Sequence, residues 1–344
     1  MIVTSIGSLP FVDVERALDA VLASCPECPF WPQLPKRSFY EDMFVQALEG
    51  VPAIVVDGSR GSVYMDTRRT DGIERFYEEV YEGNADAFAI SEAAAPGFYG
   101  LLERLPKAAG TIRFVKGQLT GPFTIGIGLK DESGKPVIYN DAYFDVIKKA
   151  LRMKAAWMIK AIRGACPGKE VILFFDEPAM VSLGSAFVSI SGSTVTSMMR
   201  EVAGGLDAKI GVHCCGNTDW PVLLGAGLDI INYDAFNFMD TPFYFRRELS
   251  EFLARGGWVA PGIVPSSAED LAGVNLSDLV RTWNTFGDHL RDAGAVLESE
   301  EISTTACGLG SLSEADASRA LDLLRELPDA VKRPDKRDLY QGGE

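Results

Sequence analysis

Apolar, β-rich runs recur along the chain, and most are followed by a stretch with the spacing of an amphipathic helix. The pattern predicts strands at Ile2–Ile6, Thr111–Leu119, Val171–Phe175, Lys209–His213, Asp229–Tyr233, Trp258–Pro261 and Ile302–Ala306. It predicts helices over Asp13–Ala23, Asp71–Tyr81, Tyr143–Arg163, Thr194–Ala203, Trp220–Ala226, Thr241–Ala254, Leu276–Ala293 and Glu314–Glu326. Regular alternation of strand and helix implies parallel strands joined by helical crossovers. No Gly-rich dinucleotide fingerprint follows any strand, which disfavours a Rossmann-type sheet. The expected fold is α/β, a single (β/α)8 TIM-type barrel formed by residues 1–344. Residues 25–70 interrupt the alternation with a Pro- and aromatic-rich stretch, CPECPFWPQLPKRSFYEDM. It reads as an irregular N-terminal extension over the catalytic face, because long structureless loops in compact folds tend to be functional.

Composition narrows the partners. Hydrophobic residues make up 47% of the chain, enough for a sizeable core. With 33 basic and 48 acidic residues the net charge is −15, which repels phosphate backbones and anionic lipid. Nucleic acid and membrane surfaces are therefore not expected as partners. Residues 1–24 show no basic segment followed by a long apolar run, and no stretch approaches the ~18 apolar residues of a membrane span. A soluble, cytoplasmic protein is the expectation. The six cysteines are few and irregularly spaced, unlike a disulfide framework, so each reads as a core residue, a metal ligand or a catalyst.

Three short segments fall at the C-terminal ends of predicted strands: GVHCCGN (211–217), INYD (231–234) and TTACGLGSL (304–312). In a TIM barrel that end is the catalytic face, so one His and two or three Cys meet there despite their separation in sequence. His nitrogen and Cys thiolate are the donors zinc prefers. Alternate side chains of a strand share a face, which pairs His213 with Cys215 and turns Cys214 away. Asp234 closes the next strand and could supply an oxygen ligand. A lone buried Cys is more often a core residue, but a His-x-Cys plus a distant Cys at strand ends favours a metal. Zinc deprotonates a coordinating thiol, and two cysteinate ligands temper its Lewis acidity, so a bound substrate sulfur stays nucleophilic. Alkyl transfer to sulfur suits such a site better than hydrolysis.

Other motifs are weaker. In FFDEPAM (174–180), adjacent Asp176 and Glu177 face opposite ways, so one carboxylate reaches the barrel mouth, either to bind a substrate ammonium or as a structural cap. SIGSLP (5–10) offers a tight turn in which Gly7 permits close backbone approach. Cys25 and Cys28 form a CxxC with no second pair, Cys166 precedes Pro-Gly at a helix end, and His289 lies on a helical surface pattern.

Taken together, these motifs resemble the C-terminal catalytic half of cobalamin-independent methionine synthase, in the superfamily that also holds uroporphyrinogen decarboxylase. The likeness is closest to the short, single-barrel core methionine synthases and runs through nearly the whole chain. IGSLP (6–10) is similar to the family's homocysteine-contacting IGSFP, KGQLTGP (116–122) to its LTGP strand, and FFDEPAM to its DEPAL. HCC (213–215) and ACGL (306–309) are similar to its zinc-binding H-x-C and CGL. The resemblance implies zinc on His213, Cys215 and Cys307, with Asp234 where the family usually has Glu. It implies that Asp176 binds the substrate ammonium, and that Ile6, Gly7 and Ser8 contact homocysteine. Two family features lack a match: the second homocysteine-contacting Glu in EDMFVQAL (41–48), and the His of a D-x-H-S-P segment, where the chain reads PGIVPSS (261–267). The family's full-size members carry a further N-terminal barrel that helps bind methyltetrahydrofolate. Resemblance to the short enzymes implies instead methylcobalamin, free or on a corrinoid methyl-carrier protein, as donor. The expected activity is homocysteine S-methylation. Methylcobalamin:coenzyme M methyl transfer and a non-catalytic zinc protein of a methyl-transfer complex are the alternatives.

Overall fold

A computed structural model describes residues 1–186, 188–294 and 301–332. Its main sheet is parallel and curled. The strands are β1 (Ile2–Val3), β4 (Phe114–Thr120), β5 (Glu170–Asp176), β6 (Lys209–Cys214), β7 (Ile230–Asp234), β8 (Trp258–Val264) and β9 (Ile302–Thr305), while β2 (Ile54–Asp57) and β3 (Ser62–Met65) form a separate hairpin. The order is β1-β9-β8-β7-β6-β5-β4, so sequence neighbours are spatial neighbours from β4 to β9 and β9 returns beside β1.

Among the described residues the sheet has seven strands, so the expected closed eight-stranded barrel is corrected to a curled, TIM-like parallel sheet. The gap between β1 and β4 is spanned by residues 27–33 of the Pro-rich stretch. On one side Phe114 N donates to Glu27 O, Lys116 N to Pro29 O and Trp31 N to Lys116 O; on the other Gln33 N donates to Gly7 O and Leu9 N to Gln33 O. Pro26, Pro29, Pro32 and Pro35 have no N–H to give, so a continuous ladder cannot form and only isolated bridges remain. The stretch expected to lie over the mouth thus enters the wall first. Its later part does reach the C-terminal end of the sheet, where Thr120 Oγ1 donates to Met43 O at 2.8 Å beside the short helix Met43–Leu48.

Alternation along the strands sorts the side chains. Gly117 faces outward, where an added Cβ would stand 2.4 Å from Met158 Sδ of the helix Asp141–Ala165; Gly211 faces inward, where it would meet the Phe174 ring at the same distance. Inside the sheet, Ile2, Cys28, Phe114, Phe174, Ile230 and Ile302 form an apolar plug. Outside it, one contiguous hydrophobic cluster runs from Val3 to Leu327 between strands and helices. Burying apolar area on both faces of the sheet is what holds such a wall together. Helices begin at side-chain caps, including Asp13, Asn140 and Asn275, that satisfy otherwise orphaned N–H groups. Among the described residues no helix is long and apolar enough to cross a membrane.

Candidate metal centre

The strand register sets one polar layer above the plug. Asp176 pairs with His213, and His213 with Asn232, on successive strands. His213, Cys215 and Cys307 converge at the C-terminal end: one nitrogen or sulfur atom from each lies within 4.8 Å of the others. Cys214 points the opposite way into the outer core, and its thiol is pushed up to about 12 by burial, as the face alternation predicts.

Hydrogen bonds fix the His213 tautomer. Asn232 Nδ2 donates to Ala260 O at 2.7 Å and to Thr304 Oγ1 at 2.8 Å, so its Oδ1 is the atom that faces the imidazole. An amide oxygen only accepts, so His213 Nδ1 carries the proton in their 2.5 Å contact. Nε2 is left with its lone pair, buried and without a partner. An orphaned imidazole nitrogen beside two sulfurs, with the far nitrogen held by an amide, is the donor set and supporting geometry of a zinc ligand. The residues present fit the metal. Contact with Cys307 holds the Cys215 thiol well below the usual thiol range, while the same contact and burial push Cys307 up.

Local structure places each ligand. The register between β8 and β9 shifts at Gly262–Val264, a bulge of the kind that re-aims a strand end. Beyond it the Cys307 loop is clamped by Ser8, whose carbonyl accepts from Leu309 N at 2.8 Å and whose Oγ accepts from Gly310 N at 3.3 Å. Asp234 stands outside the trio. Its Oδ1 accepts from Asn237 N and its Oδ2 from Asn237 Nδ2, so it caps the short helix Ala235–Phe238.

Asp176 and Glu177 divide as the strand geometry predicts. Glu177 turns to the β4 end, accepting from Phe123 N, Thr124 N and Thr124 Oγ1; burial pushes it up to about 7. Asp176 faces the interior, with Oδ1 buried and unpartnered. Burial pushes its carboxyl up to about 6 against the opposing pull of Lys116 and His213. At the Ile6–Ser8 turn all three carbonyls are claimed by different elements: Ile6 O by Lys116 Nζ, Gly7 O by Gln33 N and Ser8 O by Leu309 N. Buried Lys116, Gln118, Gln33 and Asn232 had no role assigned from the sequence, although KGQLTGP and INYD contain three of them. Gln and Asn carry no motif of their own, and only the topology brings them to the site. Cys25 and Cys28 are buried near Lys116 rather than near the trio, and burial pushes both thiols up. His289 stacks on Phe243 at 5.0 Å, half-buried on its helix. A surface cavity of about 360 Å³ lined by Glu49, Arg75, Phe76 and Phe88 shares no residue with the centre, so donor chemistry rather than concavity locates it.

No protein-family model and no curated protein sequence matches the chain. Solved structures do. A methyltransferase from Methanosarcina mazei superposes with a TM-score of 0.55 at 13% identity, over 94% of this chain and 93% of its own. A protein assigned provisionally as a vitamin-B12-independent methionine synthase from Listeria monocytogenes superposes with a TM-score of 0.54 at 15% identity, over 96% of this chain and 86% of its own. At these identities the likeness is one of fold, and it extends over most of this chain.

Proposed function

We propose that this chain is a zinc-dependent methyltransferase that transfers a methyl group to the thiol of homocysteine, giving methionine, with methylcobalamin or a methylated corrinoid protein as donor. The observation that carries the reading is the trio of His213, Cys215 and Cys307 with the unpartnered Nε2 facing it. These three residues would hold the zinc. Bound there, zinc supplies the acidity that keeps a substrate thiol anionic at neutral pH. Asn232 holds His213 in the ligating tautomer. Asp176 offers its free Oδ1 to the substrate ammonium, and the Ile6–Ser8 turn supports the amino-acid end. Sulfur then forms its bond to the methyl carbon as the cobalt–carbon bond breaks. The thiol proton is released and the bonding pair stays on cobalt. The protein's own task is orientation, which can account for several orders of magnitude in rate.

A buried carboxylate aimed into the site favours an aminothiol over coenzyme M, which has no ammonium. The test pairs each thiol with methylcobalamin, and homocysteine also with methyltetrahydrofolate. Methionine formed from methylcobalamin and homocysteine is expected. Turnover of coenzyme M but not homocysteine would reject the substrate, and turnover of neither, in zinc-loaded protein, would reject the activity.

A further inference from the structure

The sheet interior holds a second polar construction that the metal trio does not use. Lys116 has no solvent exposure, and its Nζ donates to Ile6 O at 2.6 Å and to Gln118 Oε1 at 3.1 Å. Gln118 Nε2 donates to Gln33 Oε1 at 3.1 Å, Gln33 Nε2 to Gln46 Oε1 at 2.7 Å, and Gln46 Nε2 to Ala94 O at 2.7 Å. All three glutamines are buried. Each amide accepts from the Lys116 side and donates away from it, so all three dipoles turn their negative ends toward the ammonium. Reversing any one of them would set like atoms against each other, so the chain fixes every orientation and favours the charged amine. The Phe174 ring, 4.7 Å from Nζ, adds a cation–π contact.

This construction carries the substrate turn. Lys116 holds the Ile6 carbonyl, and the Gln118 amide lies so close under Gly7 that an added Cβ would stand 2.4 Å from Nε2. We infer that Lys116 is a positioning residue for the amino-acid end of the thiol substrate. Held by the chain Gln118–Gln33–Gln46, it pins the Ile6–Ser8 turn. The inference rests on the function proposed above.

The test uses zinc-loaded, full-length Lys116→Met, which keeps the length and apolar stem but removes the charge and donors. Half-saturating concentrations are measured for homocysteine and for 2-mercaptoethanol, a thiol with neither ammonium nor carboxylate, with methylcobalamin as donor. Preference for homocysteine is expected to fall about tenfold or more, with zinc content as in the wild type. A merely structural role would lower use of both thiols alike. Independently of substrate, hydrogen exchange of residues 5–9 is expected to speed about tenfold relative to the helix Asp141–Ala165. Wild-type preference and unchanged exchange would overturn the inference. Should Lys116→Met not fold, Gln46→Leu cuts the chain away from the turn. About a threefold loss of preference is then expected, and none would overturn the inference. If the wild type uses neither thiol, the proposed function fails and the substrate role of Lys116 with it, while exchange decides separately whether Lys116 braces the turn: faster exchange supports the bracing, and unchanged exchange rejects it.

Discussion

Replacing Asn232 by Leu tests how the protein prepares His213 without touching a ligand. Three buried contacts disappear: the 2.5 Å bond from His213 Nδ1 and the donations to Ala260 O and Thr304 Oγ1. With no acceptor at Nδ1, the imidazole must either bury an unpaired N–H or shift the proton to Nε2, the atom needed for the metal. Leaving one buried donor unmade costs about 1–3 kcal/mol. At ~1.4 kcal/mol per tenfold, that is a loss of about 5- to 150-fold in zinc affinity, in line with the roughly 10–100-fold typical of groups that orient a metal ligand. The Ala260 carbonyl loses the amide donor as well, which destabilises the metal-free fold by about a further 1–3 kcal/mol, while Thr304 Oγ1 keeps its bond to Thr305 O. Competition against a chromophoric zinc chelator measures the first quantity, and urea denaturation of metal-free protein the second. Zinc affinity within about twofold of wild type, in a folded variant, would refute the tautomer argument.

Cys307→Ser removes one of two thiolates and is expected to lose zinc and methyl transfer together; full activity without zinc would remove the mechanism. Asp176→Asn keeps shape but loses the charge-assisted bond to an ammonium, about 1.5–3 kcal/mol or roughly ten- to hundredfold in half-saturating homocysteine, with zinc retained. Because burial lifts Asp176 to about 6, the wild-type homocysteine requirement should climb as pH falls through about 6, while the Asn variant stays flat over that range. The matching stability sign is negative. A carboxyl whose folded value is raised holds its proton more tightly when folded, so its contribution declines as pH rises from about 4 to about 6. Gly7→Ala drives a methyl against the Gln118 amide, at a φ of 151° that side chains rarely adopt. It is expected to cost about 1–3 kcal/mol in denaturant unfolding, and an unchanged midpoint would show that the turn is not braced as described.

The strands from β4 to β9 were readable because each is a short run rich in apolar or β-branched residues, buried along most of its length, and the structure shifts their ends by only a few residues. The trio was readable because His213, Cys215 and Cys307 sit at strand ends that the parallel topology must gather. The wall segment 27–33 was not readable. Its prolines remove the donors and the alternation by which a strand is recognised, although its remaining N–H and C=O groups pair on both sides. The β2–β3 hairpin was lost in the same irregular stretch. It is partly exposed, and apart from one bridge from Met65 to Asp131 its strands pair with each other, so it carries no long buried apolar run. Asp234 stands at a strand end, the place of a ligand, and in this structure its oxygens accept from Asn237, three residues on, a local cap that the strand pattern does not announce. The glutamine chain has no sequence signature, since residues 33, 46 and 118 meet only after folding.

Zinc K-edge absorption on the purified, reduced protein addresses the central claim most directly. One zinc per chain is expected, with two sulfurs at about 2.3 Å and one imidazole nitrogen at about 2.0–2.1 Å, and a third sulfur on adding homocysteine. Zinc well below one per chain, or a bound zinc without sulfur neighbours, would contradict it.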